Sequence, residues 1–425
     1  MTVSRRAALK LGVAASVAAA WPAKLFAAGY RVGVGRGRDP YAATKRALDA
    51  SAEWPALGVQ GKTVVIKPNL VGPRSSRTGT TTDPEVVRAV VDQALADGAA
   101  GVQIVETSPN GPYFAPCGYD FFDTYDPYGR VQLLDLQQMP QVLAPLPGGM
   151  AYTAIETAEP ILGSDVVFVS VGKLKTHSDA VASLTMKNLF GLPTVDRYLS
   201  YAPTGRFAMH DRSVHQTIVD INRLRPVDFA VLDGIWGMEG SGPVFGSPVR
   251  MNTVLAGRNA LAVDRVALSL MKLSQRAVRH LDYGAQAGLG PQELGEIALA
   301  GDPLNPRAFA LPPLPPYVDY PRVNPAVFDP SAGQRTTIRI YYGQPCFRTV
   351  DILRLYDDHP AVDSIVTLSP YMLKRKGYEL VAWDGRAEDG SLAPPGRYAA
   401  HVRAVRSTDG RPTDGLAWVV VRSST

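Results

Sequence analysis

One junction constrains this chain more than any other: an apolar, mostly β-branched run that ends in a cluster of cations. Val166, Val167, Phe168, Val169 and Val171 form the run, and Gly172 stops it. Apolar residues without polar alternation predict a strand covered on both faces. Lys173, Lys175 and His177 follow at once, and Lys187 and Asn188 come within the next turn of chain. In open α/β sheets, ligands bind just outside the carboxyl ends of the strands. A solvated basic loop is the plain alternative, but this cluster leads directly out of a core strand.

The rest of the chain repeats the arrangement. Tyr30–Val34 reads as a first strand, and Gly33, Gly35 and Gly37 read as a turn into a helix over Tyr41–Ala50. Their G-x-G-x-G spacing is not that of a dinucleotide loop. Lys62–Ile66 is a buried strand that delivers Lys67 and Asn69 around Pro68. Asp83 and Pro84 then open a helix as N-cap and first-turn proline. Val102–Val105 ends on Glu106, and Asn110–Tyr128 reads as a long loop over the site. Val131–Leu136 and Ala151–Ile155 read as short strands, and Ser213–Leu224 as a helix carrying His215 and Asn222. Phe229–Leu232 is a strand ending on Asp233, followed by the glycine-rich loop Ile235–Gly246 with Glu239. Thr253–Ala256 is a further strand, Asp264 opens a helix over Ala262–Met271, and Pro291–Ala300 forms another. Apolar strands alternating with helices imply an α/β fold, with a largely parallel sheet and helices on both faces.

Composition bounds the rest. The chain has 425 residues, which predicts more than one domain. Residues 1–28 carry Ser4-Arg5-Arg6-Ala7-Ala8-Leu9-Lys10, an apolar run from Leu11 to Trp21 and an alanine-rich end. This resembles a twin-arginine export signal, with cleavage after Ala27 or Ala28, and implies the export machinery as a partner and a periplasmic or extracellular address. Arg5, Arg6, Lys10 and Lys24 supply four of the five net positive charges, leaving about +1 on the remainder. That balance gives no reason to propose a nucleic-acid partner. Cys117 and Cys346 are the only two cysteines, too few for a cysteine-ligated iron–sulfur cluster within one chain.

Several pieces resemble the DUF362 family of uncharacterised α/β proteins. They are Val65-Ile66-Lys67-Pro68-Asn69-Leu70, Thr82-Asp83-Pro84-Glu85, Lys173-Leu174-Lys175-Thr176-His177, Met186-Lys187-Asn188-Leu189-Phe190-Gly191, and Asp233-Gly234 with Met238-Glu239-Gly240. Many members of that family carry ferredoxin-like cysteine motifs; this chain has none, so a redox role does not carry over. Beyond a proline-rich linker at 306–332, residues 333–425 resemble the immunoglobulin-like domain of flagellar hook-capping proteins. Ala382-Trp383-Asp384-Gly385-Arg386, Asp389-Gly390 and Pro395-Gly396 with Tyr398 carry that likeness. Asp-Gly turns between apolar strands fit a small β-sandwich. The resemblance implies a spacer or adhesion unit that contacts another protein or the cell surface.

The expected domains are thus a signal at 1–28, an α/β domain at 29–305, the linker, and the sandwich. The expected ligand is an anionic small molecule. Lys67, Lys173, Lys175 and Lys187 would bind phosphate or carboxylate oxygens, with Asn69 and Asn188 beside them. His177, with Lys175, would serve as general acid and base. Asp233 and Glu239 would hold a divalent metal, which makes metal-assisted hydrolysis or transfer the reaction to test, or would serve as counter-ions for the lysines. Two alternatives stay open: a non-catalytic anion-binding protein, and an exported scaffold without activity.

Overall fold

The computed structural model describes residues 29–107, 111–198, 209–210, 213–312, 318, 321–356, 362–405 and 412–422. The export signal expected at 1–28 lies outside them. The first part of the chain forms strands β1 (Tyr30–Arg36), β2 (Thr63–Lys67), β3 (Gly101–Glu106), β4 (Val131–Asp135), β5 (Gln141–Pro145), β6 (Ala154–Ala158), β7 (Val166–His177), β8 (Val181–Ser183), β9 (Phe229–Glu239), β10 (Ser247–Gly257) and β11 (Ile297–Gly301). Nine of these make one sheet in the order β11-β1-β10-β9-β7-β2-β3-β4, with β8 added to the end of β7. β7 pairs in parallel with both β2 and β9, and β2–β3–β4 continue in parallel. β10 runs antiparallel to its neighbours β1 and β9, so the sheet is mostly, not wholly, parallel. β5 and β6 form a separate hairpin.

Period-2 alternation splits the core in two. Val64, Ile66, Val167 and Val169 face one way, against helices α1 (Pro40–Ser51) and α2 (Pro84–Ala96). Val65 and Phe168 face the other way, towards α3 (Thr185–Asn188), α4 (Val195–Tyr198), α5 (Val214–Leu224), α6 (Ala260–Leu270) and α7 (Arg279–Gln286). Asp83 caps α2 as expected, accepting from the Glu85 N–H.

Four local expectations need correction. Gly172 does not end its strand: β7 continues to His177. A side chain at Gly172 would sit 3.0 Å from the Leu184 carbonyl, so the glycine admits the backbone leading into α3. β9 likewise runs on through Asp233 to Glu239. Gly33 and Gly35 lie within β1 rather than in a turn, where α1 packs directly on the strand backbone. The helix expected at Pro291–Ala300 is a short 3₁₀ turn followed by β11, an edge strand parallel to β1. Its sequence has Gly295 at the centre and no helical apolar stripe.

Asp264 also has a different role. Asn259 caps α6, and Asp264 lies buried within the helix. Its carboxyl accepts from the Thr185 N–H (2.8 Å), the Thr185 hydroxyl (2.6 Å) and the Met186 N–H (2.9 Å). It therefore fixes the first turn of α3, the element that carries Lys187 and Asn188.

The C-terminal part forms two packed sheets. One joins β12 (Arg322–Asn324), β14 (Thr336–Tyr342) and β17 (Gly377–Trp383). The other joins β13 (Val327–Phe328), β19 (Pro412–Val421), β18 (Gly396–Val405), β15 (Cys346–Leu355) and β16 (Val362–Lys374). Trp383, Tyr398, Ile338, Val350 and Val402 fill the space between them. A buried Arg348–Glu379 ion pair joins the two sheets, and Tyr342 donates to the same carboxylate at 2.9 Å. This module is not held away on a spacer. Arg307 and Phe309, at the start of the expected linker, donate backbone N–H groups to Leu270 and Met271 beside α6. Gln216 on α5 exchanges two 3.1 Å hydrogen bonds with the Leu416 backbone, and Leu353, Ala399 and Leu416 join the core of the α/β part.

Two tests follow from this packing. A Cβ at Gly35 would lie 2.0 Å from the Ala43 carbonyl oxygen, whereas Gly72 has open space around it. Gly35→Ala should cost about 3 kcal/mol in urea unfolding, the upper part of the overpacking range, and Gly72→Ala should be near neutral. Asp264→Asn should cost about 1–3 kcal/mol, because a buried N–H loses its acceptor. Burial lifts the Asp264 carboxyl to about 7, above its unfolded value. Its stabilising contribution is then full at low pH and is lost as pH rises towards 7, so the gap between wild type and variant should narrow over that window.

Candidate functional site

Three alternate positions of β7 carry Lys173, Lys175 and His177, and their side chains have different fates. Lys173 forms a 2.6 Å ion pair with Asp233, both fully buried. Asp233 also accepts from the Asp83 and Ile235 N–H groups, at 2.8 and 2.9 Å. Lys67, at the end of β2, pairs at 2.7 Å with Glu106 at the end of β3, and Glu106 accepts two further N–H groups from Leu70 and Thr107. Buried charges persist where each has a partner and its remaining lone pairs are satisfied. These two lysines are thereby neutralised by the protein itself. Gly191 packs against the second pair: a Cβ there would approach the Lys67 ammonium to 2.8 Å.

Lys175 and Lys187 are different. Lys175 is 1% exposed, and its ammonium donates only to neutral oxygens, Asn69 Oδ1 at 2.8 Å and the Thr80 carbonyl at 2.7 Å. Asn69 is held by Asn188, which donates to the Lys67 carbonyl and the Ser170 hydroxyl. Burial first, then the nearby Lys187 and Lys173 charges, push the Lys175 pKa well below that of an ordinary lysine. Lys187 is half-buried, with its ammonium 4.9 Å from the Phe190 ring centre. Desolvation lowers it to about 8, and Asp179 offsets part of that drop. Among the described residues, neither lysine has a carboxylate within salt-bridge distance.

His177 Nδ1 accepts from the Asp179 N–H at 3.0 Å and faces the Ala180 N–H at 3.3 Å. Burial, reinforced by Lys187, His210 and Lys175, holds the ring neutral by driving its pKa well below 6.5. In a neutral imidazole, the nitrogen opposite an acceptor carries the proton. His177 therefore presents Nε2–H as a donor.

Lys67, Asn69, Lys175, His177, Lys187 and Asn188 all line one cleft of about 400 Å³, at the carboxyl ends of β2 and β7. Lys173 lies outside its lining, beneath it with Asp233. The expected metal pair is not assembled. Asp233 is committed to Lys173, while Glu239 pairs with Arg307 at 3.0 Å and accepts the Ala310 N–H. Sequence reasoning missed a different group. The ligating atoms of His177, Asp179 and His210 lie within 4.8 Å of one another in the cleft. A metal on His177 Nε2 would require a proton on Nδ1, facing the Asp179 N–H, so the tautomer fixed by the backbone disfavours ligation there. The alternate spacing of His177 and Asp179 was the available signal; His210 comes from a segment too distant to connect by pattern. His215 and Asn222 are structural: His215 Nδ1 lies 3.1 Å from His280 Nδ1, and Asn222 donates to the Met186 and Ile218 carbonyls.

Comparison with known proteins links the region that holds the cleft to a family. A 238-residue alignment gives 26% identity with the thylakoid-associated protein sll1697 of Synechocystis sp., covering 54% of this chain and 70% of that protein. Among solved structures, dimeric latent PorU from Porphyromonas gingivalis is 15% identical, covering 28% of this chain and 10% of that one, at a TM-score of 0.21. FlgD from P. aeruginosa is 19% identical, covering 22% of this chain and 65% of that one, at a TM-score of 0.18. Scores this low carry no argument about fold or function. Residues 64–269, from β2 into α6, match the family described as a domain of unknown function, DUF362, and that span contains every cleft residue named above.

Proposed function

We propose that the cleft binds a small anionic molecule through its oxyanion group. One observation carries this reading: Lys187 brings a cation into the cleft and, among the described residues, neither it nor Lys175 has a carboxylate within salt-bridge distance, whereas neighbouring Lys67 and Lys173 each have one. An uncompensated buried charge is costly, and a bound anion removes that cost. Lys187 supplies the charge and His177 Nε2–H a neutral donor, while the Asn69–Asn188 pair holds Lys175 in place. The carboxylates expected to hold a metal serve instead as lysine and arginine counter-ions, so metal-assisted hydrolysis has no support from Asp233 and Glu239.

A second reading adds chemistry. A buried amine with a strongly lowered pKa is unprotonated more often than a surface lysine and can act as a general base. Lys175 lies two residues before His177 on the same side of β7, so a low-pKa amine and a neutral N–H donor line the same cleft.

Calorimetric titration with succinate and inorganic phosphate tests the binding reading. Succinate keeps its charge between pH 7 and pH 9, while Lys187, at about 8, loses its proton. Succinate affinity should fall about tenfold across that interval. Lys187→Met should bind more weakly at pH 7 and show a flat profile. If neither anion binds the wild-type chain, the reading fails. For the base, solvent deuterium should enter the methyl group of pyruvate faster with the wild type than with Lys175→Met, pyruvate binding being retained and His177 Nε2–H donating to the enolate oxygen. Equal exchange with the two would exclude this role.

A further inference from the structure

The cleft is chemically divided. Its lining carries Lys175, His177 and Lys187, with Asp179 and the Lys67–Glu106 pair, and beside them the apolar Leu70, Val71, Phe190, Pro243, Val244 and Phe245. Two of these face water, Phe245 at 81% exposure and Val71 at 43%. Scattered exposed apolar side chains are ordinary, but these two belong to the lip of one cleft.

That lip is held in place. The loop after β9 is clamped to the end of β7: the Thr176 hydroxyl donates to the Gly240 carbonyl at 2.9 Å, and the Ser178 N–H to the Gly242 carbonyl at 3.2 Å. Gly240 also donates its N–H to the Ala310 carbonyl at 2.7 Å. At Gly242 the loop touches the strand so closely that a Cβ would lie 1.9 Å from the Thr176 carbonyl oxygen. Phe245 is therefore presented to the cleft by a fixed backbone, and its own N–H closes a turn onto the Ser241 carbonyl. From the other side, the Arg74 guanidinium stands 5.7 Å from the Phe245 ring centre. The cleft volume of about 400 Å³ falls within the range of small-molecule pockets.

Resting on the anion-binding reading, we propose that the ligand has two ends: an oxyanion head at Lys187 and His177, and a ring-sized apolar body beneath Phe245 and Val71. Binding sites of this kind combine an apolar wall with a few placed polar groups, the first giving affinity and the second orientation. The exposed face of Phe245 becomes buried only when such a body is present.

Calorimetric titration of the full chain with four probes tests this. Inorganic phosphate is compared with phenyl phosphate, and acetate with phenylacetate. At least one phenyl probe should bind about tenfold more tightly than its partner without the ring, the gain expected from burying an aromatic face. The pair that shows the gain identifies the head as phosphate or carboxylate. Phe245→Ser should cut the gain below about threefold and leave the ring-free probe unchanged, while Phe245→Leu should keep most of it. Because Phe245 is largely exposed, neither substitution threatens the fold. Equal binding with and without the ring overturns the two-ended ligand and leaves anion binding standing. Binding of none of the four overturns both.

Discussion

Two buried ion pairs let this sheet carry lysines on its central strands. Lys173–Asp233 ties β7 to β9, and Lys67–Glu106 ties β2 to β3, so four consecutive strands are cross-linked by charge near their carboxyl ends. Each carboxylate also accepts two backbone N–H groups, Asp233 from the α2 cap Asp83 and from Ile235, and Glu106 from Leu70 and Thr107, so the pairs fix nearby backbone as well as strand spacing. The cleft is built on this neutralised floor. Above it stand Lys175 and Lys187, which among the described residues have no carboxylate within salt-bridge distance.

The site is therefore a matter of difference among like residues. Lys67, Lys173, Lys175 and Lys187 have the same side chain and lie close together, yet Lys67 and Lys173 are held in buried ion pairs, while among the described residues Lys175 and Lys187 have no carboxylate within salt-bridge distance. Neighbouring carboxylates decide which is which. The histidine is sorted in the same way: two backbone N–H groups around Nδ1 fix the tautomer of His177 and make the ring a donor rather than a ligand for a cation.

Much of this was legible in the chain. The unbroken apolar run before Gly172 marked the central strand, Asp83-Pro84 marked the start of α2, and polar residues at strand ends converge on one cleft. The sequence misled where a local signal had a tertiary explanation. Gly33, Gly35 and Gly172 resemble turn residues but are places where another backbone crosses a strand. Asp264 resembles a helix cap but caps a different helix turn, the one at Thr185. Asp233 and Glu239 resemble metal ligands because spacing does not reveal that each has a basic partner far away in the chain. Phe245 lies in a glycine-rich loop whose hydrogen bonds to β7 are long-range and leave no pattern.

The hydrogen bonds between Gln216 and Leu416 join the two halves through the side of α5, the helix whose Thr217 hydroxyl donates to the Met209 carbonyl next to His210. A sandwich docked there is not a detachable tag. Removing it would strip Gln216 of both hydrogen bonds to Leu416 and uncover the core surface that Leu353, Ala399 and Leu416 cover. The two halves share a seam, so proteolytic loss of the outer module would leave an aggregation-prone face on the α/β part.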